Sequence, residues 1–177
     1  MAEVFRGACR FRLFPFDAWS ERVERRPVDR ETIMSKYMLI MRADDTGAAN
    51  YEQIPFEQVI EAMGRYNEAM MNAGVLLAGE GLSDASEGFV VDFSGEEPLV
   101  TDGPFGETRE LFNGFWIIEA STREEAAEWA KRAPLGPGAF LEVRRVNGPE
   151  DFPQDNEWIK KEEGWREEQA ARAAGDD

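Results

Sequence analysis

The chain alternates short apolar runs with polar, glycine-rich and proline-rich punctuation, and the period of each run predicts its element. Residues Tyr37–Arg42 are apolar at nearly every position, the pattern of a strand buried on both faces and therefore central in a covered sheet. A polar loop from Ala43 to Ile54 separates it from Pro55, a residue suited to the first position of a helix. Phe56, Val59, Ile60, Met63 and Met70 then recur at helical spacing, with Tyr66 filling the same stripe. Gly74 stands where a left-handed C′ residue would end that helix, giving a predicted span of about 55–73.

Beyond the first helix, Val75–Gly79 opens an extended segment, and Gly88–Phe93 continues it or pairs with it. Residues 94–97 are turn material, and Pro98–Thr101 reads as a short strand with proline tolerable at its first position or at an edge. The turn Asp102-Gly103-Pro104-Phe105 follows. Gly114–Ala120 is the strongest buried strand in the chain. Ser121 and Glu124 have the spacing of a capping box and predict a second helix at about 122–132, with Ala126, Ala127, Trp129 and Ala130 turned inward. Pro134 and Gly136–Gly138 end it, and Ala139–Arg145 closes the domain as a partly exposed strand.

The order is thus β-α-β-hairpin-β-α-β. This predicts an α+β fold of ferredoxin-like, split βαβ layout: an antiparallel sheet with two helices on one face. Its other face carries residues such as Phe115 or Trp116, and Leu39 or Ile40, too apolar to leave wet. A second copy packed face to face in a twofold homodimer is the economical cover. Three regions are expected. Residues 1–35 form a poorly ordered N-terminal extension, 36–147 the domain, and 148–177 a linker and a charged helix. That helix has Trp158, Ile159 and Trp165 as its large apolar residues, suited to clasp the domain or a neighbour.

Composition narrows the chemistry. The single cysteine, Cys9, permits no intrachain disulfide, and the absence of histidine removes histidine bases, the usual serine and cysteine triads, and histidine-containing zinc sites. No apolar run approaches the ~18 residues of a membrane span. Residues 1–20 are interrupted by Arg6, Arg10 and Arg12, which argues against a signal peptide and makes a cytoplasmic location the default expectation. Met34 leads directly into the first strand, so residues 1–33 read as an upstream extension. The alternative is an arm that docks its aromatics on the domain or on a partner subunit.

The net charge of −16 is uneven. Residues 1–35 hold seven arginines and six acids, residues 36–147 nine basic and twenty acidic residues, and residues 148–177 four and ten. A domain at −11 repels phosphate backbones, so direct nucleic-acid binding is not expected.

Several segments in order resemble one family. They are Lys36–Leu39, Ala73–Leu82, Thr101–Phe105, Glu107–Glu110, Gly114–Trp116, Glu125–Ala130 and Leu141–Arg145, and together they are similar to the YCII-related, or DGPF, domain over about residues 36–147. The resemblance implies a ferredoxin-like fold assembled as a dimeric α+β barrel. It also implies one of two roles. The first is a small-molecule binder or lyase- or isomerase-like enzyme with a cleft at the dimer. The second is a non-catalytic accessory protein associated with an alternative sigma factor.

The histidine–aspartate pair thought to serve some relatives does not carry over, since only the aspartate has a counterpart, Asp102. Asp102 is the candidate catalytic group; its plainer reading is a carboxylate bonding the amides of its own turn. Candidate ligand-binding partners are Arg42 and Asp44 at the end of the first strand, Glu80 between two glycines, Phe105 in the turn, and Arg109 after it. Paired carboxylates would raise one pKa toward neutrality, whereas an arginine–carboxylate pair would keep both groups charged. Asp44, Asp45 and Glu80 match no known metal-loop spacing, and Gly79–Gly81 lacks the lysine of a phosphate loop; no metal or cofactor is expected.

Overall fold

In a computed structural model of the chain, the structure describes residues 34–43, 49–50, 53–102 and 111–175. The expectations for residues 1–33, for Asp44 and Asp45, and for the turn from Gly103 through Phe105 to Arg109 lie outside the described residues. The described elements are β1 (Ser35–Ala43), α1 (Phe56–Asn72), β2 (Leu76–Gly81), β3 (Phe89–Asp92), β4 (Leu99–Asp102), β5 (Leu111–Ala120), α2 (Arg123–Ala130), β6 (Ala139–Arg145) and α3 (Glu157–Ala174). The fold is mixed α+β. Its main sheet is four-stranded, open and antiparallel in every pairing, with order β2-β5-β1-β6, and a separate two-stranded sheet joins β3 to β4.

The two apolar-on-both-faces strands, β1 and β5, occupy the centre, as their patterns predict. The β3 segment does not pair with β2; it turns back on β4 as an independent hairpin, Phe89 opposite Asp102 and Val91 opposite Val100.

One face of the sheet holds the core. Tyr37 and Leu39 of β1 lie opposite Ile118 and Trp116 of β5, and Leu141 and Val143 of β6 flank them. Against this face pack Tyr66 and Met70 of α1 and Ala126 and Trp129 of α2, so both helices contribute to one cluster. The α1 stripe is narrower than its sequence: Val59, Tyr66 and Met70 are buried, while Phe56 and Ile60 are exposed. In α2, Ala126 and Trp129 carry the contact expected of them. The Tyr66 hydroxyl donates to the Trp129 carbonyl at 3.0 Å, a buried bond that ties helix to helix and satisfies the phenol inside the core. Burial holds the Tyr66 pKa above its ordinary value, so it stays a donor.

Trp116 is the hub of sheet-to-helix packing. Its indole Nε1 donates to Asn67 Oδ1 of α1 at 2.8 Å, and its ring meets Tyr66 edge-on at 5.3 Å between centroids. On the neighbouring strand, Gly79 lies directly opposite; a Cβ there would fall 2.6 Å from Trp116 Cδ1. Gly79 is therefore a space reserved for the indole rather than part of a ligand loop.

Helix ends follow local rules with one shift. Gly74 takes φ 66°, the Gly74 amide donates to Met71, and the Val75 amide donates to Met70. That is the full Schellman pattern, closed by the buried pair Val75 and Met70. The start of α2 lies one residue later than the Ser121–Glu124 spacing suggests. Thr122 is the N-cap, its hydroxyl accepting from the Glu125 amide at 3.1 Å, while the Glu125 carboxylate reaches back to the amide of Ser121 at 2.7 Å. The shift follows from the backbone: Thr122 is the last extended residue before the helix.

Beyond β6, Arg145 pairs with Asp151, which also accepts from the Gly148 amide, so the linker turns sharply before Asn156 caps α3. Trp158 and Trp165 of α3 are exposed, and Ile159 is half-buried.

Two stability outcomes follow from this packing. Gly79→Ala should lower the unfolding free energy by about 1–3 kcal/mol through overpacking against Trp116. Gly81→Ala, where an added Cβ meets no atom within 4 Å, should be near neutral; urea melts of both variants make the comparison. Thr122→Ala should cost about 1 kcal/mol in the same assay, by freeing the Glu125 amide.

Candidate functional site

The second face of the sheet, turned away from α1 and α2, carries the residues on which chemistry can rest. The pairing register sets them in rows. Glu80 of β2, Phe115 of β5, Ile40 of β1 and Glu142 of β6 form one row straight across the sheet. In the next row Arg42 lies between Phe112 of β5 and Phe140 of β6. Phe112 reaches this face because β5 bulges: Met41 pairs with Gly114 but Arg42 with Phe112, so Asn113 is the extra residue. Phe112 and Phe115 then stack on the same side, with centroids 6.3 Å apart and planes 11° from parallel. Gly114 permits the bulge, since a Cβ there would sit 2.6 Å from the Glu80 carbonyl oxygen.

The charged centre of this face is a triad. Arg42 Nη1 donates to Glu142 Oε2 at 2.8 Å, and Arg144 Nε donates to Glu142 Oε1 at 2.5 Å. Each oxygen of one carboxylate is thus held by a different guanidinium. Both cations, Arg144 foremost, hold the Glu142 pKa below the usual carboxylate range, so the triad stays ionised with a net charge of +1. A guanidinium pair pre-set by a shared carboxylate suits recognition of a small anion. Half-buried Ile40, Phe115 and Ile117 and the exposed Phe112 and Phe140 make the adjoining surface apolar.

Of the residues singled out in the sequence, two meet on this face. Arg42 and Glu80 are two strand spacings apart, about 10 Å, one row offset. Arg42 pairs with Glu142 of β6. Asp102 ends β4 in the separate hairpin, opposite Phe89, exposed and without a side-chain hydrogen bond or ion pair among the described residues. Asp44, Phe105 and Arg109 lie outside the described residues.

The sequence reading overlooked Glu142 and Arg144, although the signal was present. Period-2 alternation in Ala139–Arg145 puts Phe140, Glu142 and Arg144 on one face and Leu141, Val143 and Arg145 on the other. Which of the two faces would meet Arg42 depended on the neighbour strand.

Comparison with known proteins gives a family without naming a reaction. An uncharacterized protein of Rhizobium meliloti (strain 1021) is 25% identical over 95 residues, covering 54% of this chain and 77% of the relative. The family model of the YCII-related domain matches residues 35–148, from the start of β1 to just past the end of β6. The chain belongs to the YCII-related domain family.

Proposed function

We propose that this protein binds a small organic anion with an apolar or aromatic body on the outer face of its sheet, and that a second copy closes the site. The observation that carries the reading is the Arg42–Glu142–Arg144 triad set into a surface of Ile40, Phe112, Phe115 and Phe140. The guanidiniums would take the anion and the phenylalanines its carbon skeleton, a division of labour common to small-molecule sites.

The strand order β2-β5-β1-β6 with both helices on the opposite face supports a ferredoxin-like reading of the fold. A twofold homodimer joined through the outer faces would bury the apolar rows and complete a barrel-like cleft. Acid–base chemistry on a bound ligand, of the lyase or isomerase kind, would fall to a carboxylate, because the chain has no histidine. Glu80 stands in the row beside the patch, and Asp102 would have to arrive on its hairpin. A second reading, a non-catalytic accessory protein, is favoured by α3, where Trp158 and Trp165 are exposed seven residues apart on one helix face.

Calorimetry with phenylacetate and its neutral amide tests the binding reading. The carboxylate should bind and the amide should not, and Arg42→Gln and Arg144→Gln should each weaken carboxylate binding by roughly tenfold or more. Equal binding of carboxylate and amide, or unchanged binding in both variants, would rule the site out.

A further inference from the structure

Glu80, Glu119 and Glu142 share the outer sheet face, and their surroundings differ. Glu142 of β6 is held by Arg42 and Arg144. Glu119 of β5 stands opposite Lys36 of β1. Glu80 of β2 has no cation beside it: Phe115 lies opposite, and Ala78 and Ile117 fill the adjoining row. Its side chain is exposed and makes no hydrogen bond or ion pair among the described residues.

The place of that carboxylate is set by close packing of the backbone around it. A Cβ on Gly79 would fall 2.6 Å from Trp116 Cδ1, and a Cβ on Gly114 would fall 2.6 Å from the Glu80 carbonyl oxygen. The strand that carries Glu80 is thus held against both the core indole and β5, which presents the side chain from a rigid element.

Across the sheet, Glu80 lies two strand spacings from β1 and three from β6, about 10 Å and about 14 Å. An anion taken by the guanidiniums of the triad sits over those two strands. The inward reach of the arginines on one side and of Glu80 on the other leaves roughly 6–8 Å between charged ends, the span of a benzene ring bearing one-carbon arms at opposite positions. Half-buried Ile40 and Phe115 lie under that span.

A ligand body laid over Phe115 brings its far end against Glu80 and displaces water from the carboxylate. That loss is costly unless an opposite charge or a donor replaces the water. An ammonium group does so. An apolar end leaves the carboxylate without a partner, and a second anion meets like charge.

Resting on the anion-binding reading above, we propose that the ligand is an extended zwitterion, an amino-carboxylate with its two charges at opposite ends of a flat apolar body. Its carboxylate lies at Arg42 and Arg144, its body over Ile40 and Phe115, and its ammonium at Glu80. Glu80 is then the residue that selects such a molecule over simple carboxylates and rejects dicarboxylates.

Calorimetry on the full chain at neutral pH compares 4-(aminomethyl)phenylacetate, 4-ethylphenylacetate and 1,4-phenylenediacetate, which share one scaffold and differ in charge at the far end. The aminomethyl compound should bind roughly threefold to tenfold tighter than the ethyl compound, and the diacetate more weakly than either. In Glu80→Gln the aminomethyl and ethyl compounds should bind alike. Glu80→Lys should invert the order and favour the diacetate, a gain that a misfolded chain cannot produce. Equal binding of the aminomethyl and ethyl compounds to the wild type, a preference that survives Glu80→Gln, or an order that Glu80→Lys does not invert overturns the role of Glu80 and leaves the anion site standing. Binding of none of the three compounds overturns the anion site and this inference together.

Discussion

The fold depends on how one indole is accommodated. Trp116 sits at the middle of a central strand, and everything around it is arranged to admit its size and its single polar hydrogen. Gly79 withdraws on one side, Asn67 accepts from Nε1, and Tyr66 presents a ring edge. Asn67 and Tyr66 are consecutive residues of α1, so the helix is fixed in both height and rotation over the sheet. Tyr66 then passes the constraint to α2 through the Trp129 carbonyl. A single residue thereby places two helices, which is economical for a core whose buried cluster is small. No buried side-chain polar atom among the described residues lacks a partner, so the desolvation of these groups is offset by hydrogen bonds.

Because the helices are committed to that face, the other face of the sheet presents its own set of side chains. The separation is sharp at the level of single residues: along β5, Trp116 and Ile118 face the helices while Phe115 and Ile117 face away. Along β6 the same alternation parts Leu141 and Val143 from Phe140, Glu142 and Arg144. The hydrophobic core and the face proposed for recognition therefore lie on opposite sides of the same strands.

The order of elements and the centrality of β1 and β5 were legible in the chain because both rest on local periodicity. Gly74 was legible too, since a positive φ at a helix end leaves few alternatives to glycine. The α2 boundary was displaced by one residue because two hydroxyl residues, Ser121 and Thr122, compete for the cap, and only the backbone decides between them. The exposure of Phe56 and Ile60 was not legible: a helical stripe fixes a direction, not how wide a partner surface will meet it. The site was least legible of all. Arg42 and Glu80 stood out individually, but Glu142, which pairs with Arg42, lies 100 residues away on β6, and sheet order makes them neighbours. Whether Asp102 belongs with them is a question of assembly rather than of local sequence.

The bulge at Asn113 has a consequence for how such a domain can change. Were Asn113 paired opposite Arg42 instead of bulged out, the strict alternation of β5 would point Phe112 toward the helices and put Asn113 in its row on the outer face. The inserted position decouples the phase of the strand's first residues from that of its last, which the core dictates. The side chain that β5 sets beside Arg42 is thereby chosen independently of those the same strand gives to the core.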